Sequence, residues 1–319
     1  MFTIDDLERA AEVVHAVVPG TPQIRWPLLC QRVEADVWVK QENHTPIGAF
    51  KIRGTLFYIA ELRRKNPEVK GVIAATRGNF GQSVAFASLQ SGLRTVIVVP
   101  QGNSKEKNAA MSAMGAEVVE FGNDFQDALE RAEQMAKELR LHFIDSFSLE
   151  LVQGVASYGL ELFRTVPNLD YVYVPIGLGS GICGTIAARN ALGSKARIVG
   201  VVSTGAPAYA LSFQAGKPVS TPMANTMADG MACRVPNAIA VDIINQNVDR
   251  IVTVPDSEIM EAMRLYFSAT HNATEGAAAA PLAALLQDQK IIRNKHVALI
   301  NSGSNIDTDL FAAVLAGQK

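Results

Sequence analysis

The segment DYVYVPIGLGSGICG, residues 170–184, is the clearest indication of the fold class of this 319-residue chain. Its first seven residues are apolar almost throughout, which is typical of a strand that is covered on both faces. Four glycines follow within eight residues, and the run ICGTIAARNAL then predicts a helix. A buried strand that passes through a glycine-rich turn into a helix is the repeating unit of α/β proteins with parallel sheets.

The same alternation continues on both sides of this stretch. Helical patterns occupy residues 125–139 and 256–270, and the second begins at an Asp-Ser pair suited to N-capping. The other apolar strand candidates are GVIAAT (71–76), RTVIVVP (94–100), AEVVEF (116–121), RIVGVVS (197–203) and KHVALIN (295–301). The sequence therefore predicts an α/β fold with largely parallel sheets and helices on both faces.

Composition restricts the classes of partner. The net charge is −2, and Lys and Arg are scattered, so neither nucleic acid nor another polyanion is expected as a ligand. The cysteines, Cys30, Cys183 and Cys233, are too dispersed for a disulfide framework or a metal site. The acidic N-terminal segment is unlike a signal peptide, and no run of residues is long and apolar enough to span a membrane. We therefore expect a cytoplasmic protein.

The turn PIGLGSGICG (175–184) predicts a phosphate-binding site, since glycines at the start of a helix let a phosphate reach free backbone amides. Gly179, Gly181 and Gly184 also form the pattern G-x-G-x-x-G. A dinucleotide site would need an acidic residue at the end of the next strand, but that strand ends at Ser203 and Thr204. The pattern thus favours a phosphate and argues against NAD.

Two other turns follow predicted strands. ATRGNFGQS (75–83) could bind a carboxylate at the start of a helix, or it could be a plain turn with Asn79 as the helix cap. INSGSNID (300–307) could present hydroxyl groups to a flat polar ligand, or it could cap the last helix.

Lys51, in TPIGAFKIRG (45–54), lies directly after a phenylalanine and among small and apolar residues, so it is expected at the edge of a buried region. A lysine that can form a Schiff base, a phosphate cradle and an anion site fit together around pyridoxal phosphate.

The ordered motifs resemble those of the fold-type II pyridoxal-phosphate enzymes, specifically the threonine/serine dehydratase and serine racemase group. KQENHTPIGAFKIRG is similar to that group's lysine motif, TRGNFGQSVA to its asparagine loop, VPIGLGSGICG to its phosphate loop and NSGSNID to its C-terminal serine motif. TMADGMA (226–232) and TEGAAAAPLAAL (274–285) have counterparts in the same order. The resemblance covers essentially the whole chain.

The resemblance implies a role for each matching position. Lys51 would hold the cofactor covalently, Phe50 would lie against its ring, Asn79 would bond its phenolic oxygen and Ser302 would face its pyridine nitrogen. The phosphate would lie on the backbone of Gly177, Leu178, Gly179, Ser180 and Gly181. The substrate carboxylate would lie on Thr76, Arg77, Gly78, Asn79 and Phe80. Glu275 matches a family acid close to the cofactor.

The implied activity is that of a dehydratase, or ammonia-lyase, which converts a 3-hydroxy amino acid to a 2-oxo acid and ammonia. The substrate would be threonine, serine or a 3-substituted serine such as 3-hydroxyaspartate or phenylserine, and the amine of Lys51 would remove the α-proton. The alternative is a serine-racemase-like enzyme with side elimination. β-Replacement chemistry and a catalytically silent binding protein fit the motifs less well.

The chain departs from the family pattern in places that affect these alternatives. Racemising relatives carry a serine acid/base where this chain has Arg77, and a guanidinium is a poor base, so elimination is favoured over racemisation. Arg77 could also pair with a second substrate carboxylate, or it could simply face solvent. Phe80 replaces a histidine, and it makes the substrate side less polar or fills the core. Relatives that bind a divalent cation use acids where this chain has Ser203 and Tyr209, so no metal is expected there.

The resemblance also implies an arrangement of domains. Residues 1–71 and 144–319 would form a large cofactor-binding domain, and residues 72–143 a small mobile domain that closes over the substrate. The large domain would form the contact of a homodimer.

Overall fold

Two β-sheets, one of six strands and one of four, organise the chain. The structure, a computed structural model, describes residues 2–318. The strands are β1 (Gln23–Arg25), β2 (Asp36–Gln41), β3 (Gly71–Ala75), β4 (Arg94–Val99), β5 (Glu117–Glu120), β6 (His142–Phe143), β7 (Tyr171–Pro175), β8 (Arg197–Ser203), β9 (Val248–Val254) and β10 (His296–Asn301). The six-stranded sheet has the order β1-β2-β10-β7-β8-β9, and the four-stranded sheet has the order β5-β4-β3-β6.

Helices cover both sheets. They are α1 (Ile4–His15), α2 (Pro27–Val33), α3 (Lys51–Lys65), α4 (Asn79–Gln90), α5 (Lys105–Ala113), α6 (Phe125–Leu139), α7 (Leu149–Thr165), α8 (Ser180–Ala191), α9 (Ala208–Ala215), α10 (Ala238–Asn247), α11 (Asp256–Thr270), α12 (Gly276–Gln287), α13 (Gln289–Ile292) and α14 (Thr308–Leu315), with a 3-10 helix at Asp229–Met231. Only β1 pairs antiparallel with its neighbour among the strands of residues 2–318. The predicted α/β fold with parallel sheets is therefore confirmed.

All six predicted strands are present with ends shifted by at most one residue, whereas β1, β2, β6 and β9 were not predicted. β1 and β6 are only three and two residues long, and the middle of β9 is partly exposed, so none of these three shows a continuous apolar run. The expected Asp-Ser cap of α11 is wrong. The cap position is Pro255, and the carboxylate of Asp256 instead accepts hydrogen bonds from Thr226, Ser203 and the backbone of Met227.

Parallel strands bring their carboxyl ends to one edge of a sheet, and this places the candidate site. β7 and β10 are neighbours in the large sheet, and each is followed by one of the turns singled out from the sequence. β3 of the small sheet leads into the third such turn. α3 lies between the sheets and packs on α4 and α7, so its first residue, Lys51, faces the ends of strands from both.

A buried ionic network fixes α3. Arg53 is fully buried, and its guanidinium donates to Glu42 at 2.7 Å and to Glu161 of α7 at 2.6 Å. Lys40, also fully buried, donates to Glu161 as well. Burying these charges is tolerated only because each has an opposite partner. The network therefore fixes α3 at Arg53, two residues after Lys51.

Close contact between α3 and α7 requires glycine on both helices. A Cβ on Gly54 would lie 2.7 Å from the carbonyl oxygen of Leu151, and one on Gly154 would lie 2.9 Å from the Cα of Gly54. Both distances are shorter than a packed carbon can accept, so the two backbones meet directly. Between residues 2 and 318, no helix has the length and apolar character needed to cross a membrane.

Candidate active site

Lys51 begins α3, and its amine lies beside the start of α8. Its Nζ donates to the hydroxyl of Ser180 at 3.0 Å, and it lies 5.2 Å from the ring centre of Phe50 and 5.9 Å from that of Phe80. Burial lowers the pKa of Lys51 to about 8, although the negative charge of Glu275 acts in the opposite direction. At pH 7 about a tenth of this amine is therefore neutral, far more than for an ordinary lysine, and a nucleophile or a base requires the neutral form.

The turn between β7 and α8 presents an anion-binding backbone. Within residues 2–318, the N–H groups of residues 177–182 have no hydrogen-bond acceptor. Gly179 adopts a positive φ of 104°, which turns the chain into α8, and a Cβ on Gly177 would lie closer than 3.0 Å to the carbonyl oxygen of Gly230. Consecutive free amides at a helix N-terminus suit a phosphate.

Two buried tyrosines support this turn, and sequence reasoning did not identify that role. Tyr209 donates its hydroxyl hydrogen to the carbonyl of Leu178 at 2.8 Å, while Tyr158 donates to the carbonyl of Gly181 at 2.8 Å. Leu178 is half-buried and packs on the core, so the leucine in the predicted phosphate loop leaves the backbone accessible. Nothing in the sequence indicates this supporting role, because neither tyrosine lies in a glycine-rich motif.

Phe50 contacts both the lysine and the glycine-rich turn. Its ring meets Tyr158 edge to face with centres 6.1 Å apart, and a Cβ on Gly181 would lie 3.3 Å from its Cζ. Its backbone N–H donates to the carbonyl of Ser302 at 3.1 Å. Ser302 is buried, and its hydroxyl has no hydrogen-bond partner among the described residues. A polar ligand at the end of β10 could use this hydroxyl.

The loop between β3 and α4 holds a second set of free amides. The hydroxyl of Thr76 accepts from the N–H of Gly78 at 3.0 Å and from that of Gly81 at 3.2 Å. The N–H groups of residues 77, 79 and 80 have no acceptor within residues 2–318, so they can bind a carboxylate. Phe80 is buried in the core, with its ring toward Lys51.

Asn79 is not the cap of α4. Gly78 occupies the cap position, and Asn79 is the first helical residue. Its side-chain nitrogen donates to both carboxylate oxygens of Glu275, at 2.8 and 3.0 Å, and its side-chain oxygen accepts from Asn305 at 2.8 Å. The asparagine loop is thereby joined to the carboxyl end of β10 and to the start of α12.

Glu275 is the buried acid of the site. Burial raises its pKa to about 7, opposed mainly by the positive charge of Lys107. A Cβ on Gly303 would lie 2.9 Å from Glu275 Oε1, so the carboxylate lies directly against the serine motif. The sequence matches this residue to a family acid close to the cofactor, and the structure brings it into contact with Asn79.

Arg77 is exposed, and no carboxylate within residues 2–318 pairs with its guanidinium. Its place in the loop matches the predicted substrate side, but its side chain does not contact Lys51 or Glu275. Ser203 and Tyr209, at the positions where some relatives have metal ligands, bond instead to Asp256 and Leu178.

Comparisons with known proteins agree with this arrangement. The model of the family described as "Pyridoxal-phosphate dependent enzyme" matches residues 14–303. An L-threonine ammonia-lyase of Geobacter sulfurreducens is 35% identical over 310 residues, which cover 97% of this chain and 77% of the relative.

Solved structures show the same similarity. The processed form of threonine deaminase isoform 2 from Solanum lycopersicum superposes with a TM-score of 0.90 at 27% identity, covering 99% of this chain and 95% of the other. Maize serine racemase superposes with a TM-score of 0.91 at 26% identity, covering 99% and 97%.

The residues of the structure fit pyridoxal phosphate. The group needs an amine for its aldehyde, donors for its phosphate and a partner for its ring nitrogen. The chain offers Lys51 with a lowered pKa, consecutive free amides at 177–182 and the unpartnered hydroxyl of Ser302. The predicted family and cofactor are confirmed: the chain belongs to the pyridoxal-phosphate dependent enzymes.

Proposed function

We propose that the chain is an ammonia-lyase that converts a 3-hydroxy amino acid to a 2-oxo acid and ammonia. The observation that carries the proposal is the position of Lys51, whose amine lies at the N-terminus of α8 and has a pKa lowered to about 8. Relatives named L-threonine ammonia-lyase, at 29 and 35% identity over nearly the whole chain, support the predicted class of reaction.

The cofactor would be held by Lys51 at its aldehyde, by the backbone of residues 177–181 at its phosphate and by Ser302 at its ring nitrogen. When bound, pyridoxal phosphate withdraws electrons from the bonds at the α-carbon of an amino acid. The hydroxyl of Ser302, unlike a carboxylate, does not hold a proton on that nitrogen. This favours elimination over reactions that need a long-lived carbanion.

Lys51 would remove the α-proton. Its amine lies near the aromatic faces of Phe50 and Phe80, where little water can solvate an ammonium, so the neutral base is available. The substrate carboxylate would accept hydrogen bonds from the free amides at the start of α4, and the helix dipole would favour its negative charge. These two contacts orient the α-hydrogen toward Lys51.

The buried Phe80 and the exposed Arg77 argue against a racemase. Racemisation needs a second acid/base on the face opposite Lys51, and the position that serves this purpose in racemising relatives is Arg77 here. Its guanidinium stays charged at ordinary pH. We propose that Arg77 instead favours substrates with a second carboxylate, such as 3-hydroxyaspartate. Replacing Arg77 with Ala should then raise KM for 3-hydroxyaspartate at least tenfold while leaving threonine nearly unchanged.

A panel of the serine, threonine, 3-hydroxyaspartate and phenylserine stereoisomers tests the activity. The holoenzyme should release stoichiometric 2-oxo acid and ammonia from at least one of them, and the Lys51→Ala variant should release none. Inversion of the α-carbon without 2-oxo acid would instead identify a racemase. No product from any isomer, in a protein that binds the cofactor, would refute the proposal.

The remaining expectations concern assembly. We propose a homodimer formed through the large domain, closure of residues 72–143 over the substrate, and a cytoplasmic location. Light scattering of the holoenzyme tests the first, since a monomer at micromolar concentration would contradict it.

A further inference from the structure

Lys107 on α5 lies beside the candidate active site and has no part in the chemistry proposed above. Its side chain is only 8% exposed, and its Nζ donates to Asp229 of the 3-10 helix. Lysines are rarely so buried, because the ammonium loses its hydration unless it is paired. The pair also joins the two halves of the molecule, since α5 packs on the four-stranded sheet and the 3-10 helix packs on α12.

The Lys107–Asp229 pair touches three parts of the site. A Cβ on Gly78 would lie 2.9 Å from Lys107 Cδ and 3.5 Å from its Nζ, so the lysine lies directly behind the asparagine loop. Gly230, next to Asp229, packs its carbonyl oxygen against Gly177 of the phosphate loop. A Cβ on Gly230 would lie 3.8 Å from Glu275 Oε1.

The charged groups that act on Glu275 come from three elements. Lys107 of α5 lowers the pKa of its carboxyl, Asp229 of the 3-10 helix raises it, and Lys51 of α3 lowers it. Lys107 contributes the strongest of these charge effects. Glu275 holds Asn79 through both carboxylate oxygens, and only the ionised carboxylate accepts both hydrogen bonds.

The start of α5 also contacts the residues that begin α14. Ser104, the cap of α5, donates to Asp307, and Glu106 accepts from the backbone N–H of Thr308 at 3.0 Å. These contacts lie at the start of α14. The start of α5 therefore docks at two places, and Lys107 is the docking residue whose charge acts on the buried acid.

We propose that Lys107 is a positioning residue that couples the docking of α5 to the orientation of Asn79 through Glu275. When α5 is docked, the ammonium favours the ionised form of Glu275, which accepts both hydrogen bonds from Asn79 at the start of α4. When α5 moves away, Glu275 becomes more easily protonated, and one hydrogen bond to Asn79 is lost. The rate part of the test rests on the proposed ammonia-lyase activity.

Two substitutions, one that removes the cation and one that removes the anion of the pair, test the coupling between α5 and Glu275. Lys107→Met removes the cation at similar side-chain length and should move the acidic limb of the kcat/KM profile upward by about one pH unit, since a nearby opposite charge typically shifts a pKa by one to three units. Asp229→Asn removes the negative charge but keeps a side-chain oxygen that can accept from Lys107, so α5 should stay docked and the limb should move downward. Both variants break the ion pair, so a purely structural role predicts equal losses at all pH values and no opposite shifts.

Two matched variants complete the comparison. Lys107→Arg keeps the charge and should leave the limb within about 0.3 pH units of the wild type. Lys105→Met makes the change of Lys107→Met at an exposed position of the same helix, and it should leave the profile unchanged.

Hydrogen exchange of the holoenzyme gives a readout that does not depend on activity. Lys107→Met should speed exchange of the α5 amides at least threefold, while those of α6 stay unchanged. If no substrate is turned over, the proposed function fails, but the exchange result still decides the docking role of Lys107. Unchanged exchange in α5, or pH limbs that move in the same direction in Lys107→Met and Asp229→Asn, would overturn the proposal. Should Lys107→Met fail to fold, the downward shift in Asp229→Asn and the unchanged limb in Lys107→Arg still decide it.

Discussion

Replacing Gly179 with Ala should weaken the binding of pyridoxal phosphate. Gly179 has a φ of 104°, and a Cβ there would lie 2.7 Å from the Cβ of Ala240 and 3.3 Å from the hydroxyl oxygen of Tyr209. The positive φ costs an L-residue about 1–3 kcal/mol. Carbon atoms in contact are separated by about 3.5 Å or more, so the methyl group must also move by roughly 0.8 Å, at a cost of about 1–3 kcal/mol.

The two costs sum to at least about 2 kcal/mol, and the loop can relieve them by moving the amides of residues 177–181 away from the phosphate. At 1.4 kcal/mol per tenfold change, the dissociation constant of pyridoxal phosphate should rise at least about 25-fold. Equilibrium titration of the cofactor-free protein, followed by absorbance, measures it.

Substitutions at two control glycines separate the effect of the positive φ from that of the steric clash. Gly193 has a φ of 65° with nothing within 4 Å of its Cβ position, so Gly193→Ala should lower unfolding stability by about 1 kcal/mol without changing cofactor affinity. Gly181 has no positive φ, and its Cβ would lie 3.3 Å from the movable ring of Phe50 and at an ordinary contact distance of 3.7 Å from the hydroxyl oxygen of Tyr158, so Gly181→Ala should stay within about threefold of the wild type. If Gly179→Ala bound pyridoxal phosphate as tightly as the wild type, or if Gly179→Ala and Gly181→Ala lost equal affinity, the predicted role of Gly179 would be wrong.

Three further predictions follow from the same site. Arg53→Met takes the guanidinium away from the carboxylates of Glu42 and Glu161, which keep only the ammonium of Lys40 within the buried network, and should destabilise the protein by about 3–5 kcal/mol in urea unfolding, whereas Arg94→Met, on an exposed pair, should have no measurable effect. In the cofactor-free protein, acylation of Lys51, followed by peptide mass spectrometry, should rise with pH around a midpoint near 8; a midpoint near 10.5 would show that the amine is not desolvated. Tyr209→Phe removes the donor to the carbonyl of Leu178 and should weaken cofactor binding about tenfold, and an unchanged titration would contradict this role.

Much of the fold could be predicted because its central strands are buried on both faces. β3, β4, β7, β8 and β10 are nearly continuous apolar runs, and parallel sheets require such runs. β1 and β9 escaped prediction because they are edge strands of the large sheet with partly exposed residues. β2 pairs in parallel with β10, but its sequence, DVWVKQ, ends in two buried polar residues: Lys40 belongs to the ionic network, and Gln41 accepts a hydrogen bond from Asn301.

The residues of the candidate site also differ in whether the sequence alone could indicate them. Lys51, the glycines of the phosphate loop and Ser302 could be proposed from the sequence because each lies in a recognisable turn or begins a helix. The contacts of Tyr158, Tyr209 and Lys107 could not, because they depend on which helix lies beside the loop in three dimensions. Arg53 shows the same limit: the sequence places it two residues after Lys51, but only the fold reveals that Glu42 and Glu161 meet its guanidinium from different elements.

The geometry of the asparagine loop bears on the choice between elimination and racemisation. Of the two hydroxyls on this loop, that of Ser83 donates to the carbonyl of Phe80, and that of Thr76 already accepts from the amides of Gly78 and Gly81. Its lone pairs are therefore committed to holding the loop, and it cannot take a proton without releasing them. Phe80 offers no proton acceptor, and Asn79 is held by Glu275 and Asn305. Under the proposed function, Lys51 removes one α-proton, and this loop supplies no second group that could return it to the opposite face.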